Sequence, residues 1–159
     1  MGHLPGVTHQ TPGVHDVHTT FESVVSWGDQ TLANLQTQAI NISGAARDES
    51  HTGRTTYLRP GLLMSFVDAT KLWLPYDSAA TGVNDNLNGV LRGEEVVQVN
   101  GVDTNKQGVT YAPHARIKLG ALWTNDGTAG PVVGHLAEAT IVAALIALGY
   151  LLDDWYENA

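Results

Sequence analysis

The sequence predicts a mainly β protein with one late α-helix, preceded by an N-terminal extension, and three observations predict it. Strand-like runs recur at short spacing after residue 56, and Asn-Gly, Asp-Gly and Pro-Gly turn signals separate them. A single Ala/Leu-rich stretch near the end has helical spacing. The first 20 residues have no strand or helix periodicity and carry Pro5-Gly6-Val7 and Pro12-Gly13-Val14.

The elements follow in order. Phe21-Glu22-Ser23-Val24-Val25-Ser26-Trp27 is β-like, with Gly28-Asp29 as a turn, and Gln38 to Ile42 alternates polar and apolar as a half-buried strand does. The polar stretch Ser43 to Gly53 reads as a loop and sets a boundary: residues 1–50 form an arm and 51–159 the main domain. Strand-like runs then cover Leu62 to Val67, Leu72 to Tyr76, Gly89 to Arg92, Glu95 to Val99 and Arg116 to Trp123. Between them lie Arg59-Pro60-Gly61, Asp68-Ala69-Thr70, Asn84 to Asn88, Asn100-Gly101 and Asn125-Asp126-Gly127. This spacing suits a small barrel or sandwich. The helix spans Leu136 to Leu148, with residues 141, 145 and 148 on one face and Gly149 placed to end it. Tyr150-Leu151-Leu152 is a terminal strand before Asp153-Asp154.

Composition excludes several roles. The chain has 159 residues with a formal charge of −8, and only 15% of them are charged. Phosphate binding needs clustered Lys and Arg, so nucleic acid is not expected as a direct partner. The same argument disfavours anionic membranes. The longest apolar run, Ile141 to Leu152, is far short of the roughly 20 residues a bilayer span needs. No basic segment followed by an apolar one opens the chain, so no secretory signal is expected. With no Cys, thiol nucleophiles, thiolate metal sites and disulfides are excluded.

Candidate chemistry is sparse. His15-x-x-His18, with His3 and His9, could offer imidazole ligands, but nothing predicts a rigid element to hold them; a solvated arm accounts for them, and no metal is expected. The pairs Glu94-Glu95 and Asp153-Asp154 are adjacent, and neighbours on a strand point to opposite faces, so neither can work as a catalytic pair. Asn84-Asp85-Asn86 lacks the spacing of a calcium loop and is explained by turn chemistry. No nucleophile elbow, phosphate-binding loop or dinucleotide fingerprint occurs. An enzyme is therefore not expected, nor a cofactor. Trp73, Tyr76 and Trp123 lie in strand-like runs and read as core or interface. Phe21, Val24, Val25 and Trp27 are apolar groups on an extension, suited either to a partner surface or to folding back on the chain's own barrel.

Five stretches occur in a suggestive order: Gly44-Ala45-Ala46-Arg47-Asp48, Thr56-Tyr57-Leu58-Arg59-Pro60-Gly61-Leu62-Leu63, Lys71-Leu72-Trp73-Leu74-Pro75-Tyr76-Asp77, Asn88-Gly89-Val90-Leu91 and Ala147 to Asp154. As an ordered set covering residues 44–154 they resemble the lambda-type head decoration proteins of tailed bacteriophages. The resemblance implies a small domain of the β-tulip kind that assembles as homotrimers. Such trimers bind the major capsid protein on the outer surface of the expanded virion head and hold it against the pressure of packaged DNA. It also implies an N-terminal arm ordered on the capsid, which makes Phe21, Val24, Val25 and Trp27 the candidate capsid contacts; an extended arm can add a strand to a sheet edge. A carbohydrate- or surface-binding β module of a fibre or adhesin is the alternative, for which exposed aromatics would stack on sugars. A third, small hydrolase reading would need two convergent ionisable groups.

Overall fold

The computed structural model describes residues 37–125 and 129–153. In chain order the strands are β1 (Thr37–Ile42), β2 (Tyr57–Leu58), β3 (Leu63–Val67), β4 (Leu72–Pro75), β5 (Gly89–Val90), β6 (Glu95–Val96), β7 (Gln98–Val99), β8 (Val102–Asp103), β9 (Lys106–Tyr111), β10 (Arg116–Lys118), β11 (Trp123–Thr124) and β12 (Gly130–Pro131). One helix, α1 (Glu138–Ala147), and a last strand, β13 (Leu151–Asp153), follow. The described chain is mainly β with one late helix, as its patterning predicts.

The central sheet has the order β5-β3-β4-β1-β9. Its edges then meet: Leu91, just past β5, bridges Thr110 of β9, and the Arg92 N–H donates to the Val109 carbonyl at 2.8 Å. The sheet therefore curls into a closed, barrel-like ring, which leaves few open edges. Trp73 fills the inside of this curl. Glycine at position 89 makes room for it, since a Cβ there would sit 3.3 Å from the Trp73 ring and 3.4 Å from Thr110.

Alternation along the strands gives the sheet two buried faces. Met64 and Leu91 join Ile40, Ile42, Leu58, Leu62, Trp73 and Val97 in one core. Their neighbours Leu63 and Val90 join Tyr111, Ile117, Leu122, Ile141, Leu145 and Tyr150 in the other. Helix α1 covers this second core with Ile141 and Leu145, each fully buried and contributing about 2 kcal/mol by the area it removes from water.

Turn chemistry places the strands. Pro60 and Gly61 form a tight turn, with the Leu62 N–H donating to the Arg59 carbonyl at 3.2 Å and Gly61 at φ +86°. That is the positive φ a type II turn requires. Asn100 (φ 51°) and Gly101 (φ 78°) give the two-residue hairpin joining β7 to β8. The helix ends in a Schellman motif: Gly149 has φ +97°, its N–H donates to the Ile146 carbonyl, and the Tyr150 N–H donates to Leu145 at 3.1 Å.

Several boundaries differ from expectation. The folded body reaches back past residue 50: β1 pairs along its whole length with β9 and touches β4 in parallel through Ile42 and Trp73, so residues 37–50 are not arm. The polar stretch misled because it is a loop inside the body, tied down at both ends. The Glu95 to Val99 run is two strands, because Val97 turns inward and its N–H donates to Thr56. The Arg116 to Trp123 run is broken by a single 3₁₀ turn, Leu119–Ala121, around Gly120. Strand β9 was not expected, and Gly108 in its middle explains why. The expected helix, 136–148, is longer by two residues at the front and one at the back than the observed one.

Candidate functional site

The framework is fastened by two arginines in the loop after β1 and the turn after β2. Arg59 Nε donates to Asp48 Oδ2 at 2.8 Å and Nη2 to Asp48 Oδ1 at 3.2 Å, a two-pronged pair with a carboxylate that is 0% exposed. Ser50 Oγ donates to the same carboxylate at 2.7 Å and also accepts from Arg59. The guanidinium lies over the Trp123 ring, 3.9 Å from its centroid. One side chain thus ties the 43–56 loop, the 59–62 turn and β11 together, and the Glu49 N–H adds a bond to Asn125 Oδ1 at 2.6 Å.

Arg47 fastens the β7–β8 hairpin. Its Nη2 donates to both Asp103 oxygens at 2.7 and 2.8 Å, and its Nη1 to the Gly44 and Ala46 carbonyls at 2.9 and 2.7 Å. Arg47, then Gln98, hold the Asp103 carboxyl below the usual carboxylate range. Gly44 makes the approach possible, since a Cβ there would lie 2.6 Å from the Thr104 backbone nitrogen. Its own N–H donates to Asn105 Oδ1 at 2.8 Å.

The expected pairs and loops have structural uses. Glu94 accepts the Tyr57 hydroxyl, and that bond, then burial, pushes Tyr57 up to about 12. Glu95 points elsewhere, over Gly108, and its carboxyl is raised by burial against the pull of Lys106. Asp153 pairs with Arg116 at 3.3 Å and reinforces the parallel β10–β13 ladder. In the 84–86 turn, Asn84 donates to the Pro75 carbonyl at 2.7 Å and Asp85 accepts the Gly82 N–H at 3.0 Å. Among the described residues, no three His, Asp or Glu side chains are grouped to hold a metal. Nor is any helix there long and apolar enough to cross a membrane.

Trp73 and Tyr76 are buried, and Trp123 is half-buried under Arg59. The candidate contacts Phe21, Val24, Val25 and Trp27 lie outside the described residues, as do His3, His9, His15, His18 and Asp154.

What faces outward is apolar instead. Leu136, just ahead of α1, is 98% exposed, beside a shallow depression lined by Pro131, Val133 and His135. Ile146 on α1 is 59% exposed, and Val102 at the hairpin tip is 64% exposed, across from Val99. Ala139, Ala143 and Ala147 on α1 are exposed as well. A helix that is apolar all round belongs in a core, yet among the described residues only one side of α1 is covered. The sequence held this signal. Besides the inner face at 141, 145 and 148, the helix repeats apolar residues on its outer side at 139, 143 and 146.

No family model, no curated protein and no solved structure matches the chain.

Proposed function

We propose that this chain is a capsid decoration protein of a tailed bacteriophage. It binds the major capsid protein on the outer surface of the expanded head as a homotrimer and braces the shell against packaged DNA. The resemblance of residues 44–154 to that family supplies the specific class. The structural observation that supports it is the outward apolar surface of α1 on a chain of charge −8. Exposed apolar stripes of this kind mark contacts with other proteins. The way the resembling stretches are joined also favours the reading: Asp48 from one pairs with Arg59 of the next, Trp73 of the third packs against Gly89 of the fourth, and Gly149-Tyr150 of the fifth closes the helix. They act as one framework, as stretches of a single structural unit do. Repeated sites on a shell would let a trimer bind tightly through individually weak contacts.

The test is co-sedimentation of the purified chain with expanded and with unexpanded heads prepared without it. Saturable binding to expanded heads alone is the expected result. Binding to neither ends the reading and turns attention to glycans, the target of the fibre or adhesin alternative.

A further inference from the structure

The outer side of α1 carries a second pattern. On α1, Ala139, Ala143 and Ile146 are spaced by four and three residues, the a/d spacing with which one helix packs along another, and Leu136 stands in the turn just ahead of the helix. All four are exposed. Their opposite face, Ile141 and Leu145, is fully buried in the chain's own core, so the helix cannot satisfy the outer row by turning over.

We infer that this row is where copies of the chain meet, the outer side of α1 in one copy packing against that of the next. The inference takes from the decoration reading only the expectation of a homo-oligomer; the surface is assigned by the residues. Two observations select a second copy as the occupant. The first is helix supply: α1 is the single α-helix among the described residues, so no other described helix of this chain can pack along the row, whereas a second copy brings a helix with the same spacing. The second is charge. Two copies at −8 each repel unless they meet through a neutral surface. From Leu136 to Leu152 the only ionisable side chains besides the Tyr150 hydroxyl, which donates to the Tyr111 carbonyl, belong to Glu138, and Glu138 is turned back to accept the Gly134 N–H at 2.6 Å. A basic partner would find no carboxylate to read on this row, whereas a like-charged copy meets no opposing charge. The row is also graded in size. Large side chains at its ends and alanines at its centre let two helix axes come close, since side-chain bulk at the crossing sets their separation.

The experiment is sedimentation velocity of the full chain up to about 0.1 mM, a range that resolves micromolar association. The wild type should sediment as an oligomer, with Leu136→Glu and Ile146→Glu each weakening association roughly tenfold or more, the loss expected for one buried aliphatic contact. Val102→Glu, an equally exposed apolar position on the hairpin tip, should leave association unchanged. Because the chain has no Cys, Ala143→Cys treated with a short bis-maleimide should give a covalent dimer. A monomeric wild type throughout that range overturns the inference. So does an oligomer that both α1 variants leave intact or that Ala143→Cys fails to link. Both glutamate sites are exposed, and unchanged circular dichroism separates lost association from lost folding. Head binding by the same proteins keeps the two claims apart. Association through α1 without head binding ends the decoration reading alone, and head binding by a chain that stays monomeric ends this inference and the homotrimer while leaving capsid binding in place.

Discussion

Arg59 shows how much a single side chain can hold. Its guanidinium is planar, always charged and weakly hydrated, so it can grip a carboxylate edge-on while resting its face on an indole. Here it grips Asp48 and rests on Trp123. A lysine could reach Asp48 but would lose the second prong and the stacking. Breaking such a pair from one side is costly, because the buried carboxylate keeps its desolvation penalty and loses its cation. Arg59→Ala is therefore expected to destabilise the body by about 3 kcal/mol, with Arg59→Lys recovering only part of that. At this chain length the loss corresponds to a fall in Tm of roughly 6–12 °C. A melting curve for Arg59→Ala within a degree of wild type would show that the clip adds nothing. Arg47, more exposed and paired with a half-exposed Asp103, has a smaller effect by the same argument, since solvent screens its charge.

Elements were legible where a local rule decides them and obscure where pairing at long range does. Pro60-Gly61, Asn100-Gly101 and Gly149 each need a backbone conformation that glycine or asparagine supplies, and each is where the sequence says it is. The helix stop illustrates the energetics. Gly149 sits at φ +97°, and a Cβ there would stand 3.3 Å from the Pro113 Cβ. Gly149→Ala should therefore cost about 2 kcal/mol, since an L side chain resists left-handed backbone and the motif aligns Tyr150 for its 2.6 Å bond to the Tyr111 carbonyl. Chemical denaturation should show a lower midpoint with an unchanged m-value; an unmoved midpoint would mean the helix end yields freely. Strand β9 escaped notice because Gly108 interrupts its pattern, and glycine is there because Ile42 lies across it, 2.5 Å from where a Cβ would be. The clips of the candidate site are equally hidden: Arg47, Asp48 and Arg59 read as loop and turn polarity and nothing local marks Asp103, yet the fold brings residues 56 and 11 positions apart into contact. The residues singled out on the extension, Phe21 to Trp27, remain a sequence argument, whereas the exposed side of α1 is one that sequence and structure share.

At the scale of the whole molecule, the decisive element is β1. It is the strand that lets the curled sheet close, lying between β4 and β9 and contributing Ile40 and Ile42 to the core around Trp73. The loop that follows supplies Gly44, Arg47 and Asp48, so residues 37–50 carry both a central strand and the acceptor of the buried ion pair. Composition gave no hint of this, because the stretch from Ser43 to Gly53 is as polar as a linker. The consequence can be measured by truncation. Removing residues 1–36 leaves every strand pair and both clips of the described body in place, and such a protein should keep a cooperative thermal transition. Removing residues 1–50 takes away β1, leaves β9 without its partner along six residues and strands Arg59 without Asp48. Open strand edges of that length pair with other chains, so the shorter protein should lose its cooperative transition and aggregate. Circular dichroism melts and light scattering on the two truncations distinguish the cases. A shorter protein that still melts cooperatively as a soluble species would mean that the body starts after residue 50 and that β1 merely lies on its surface.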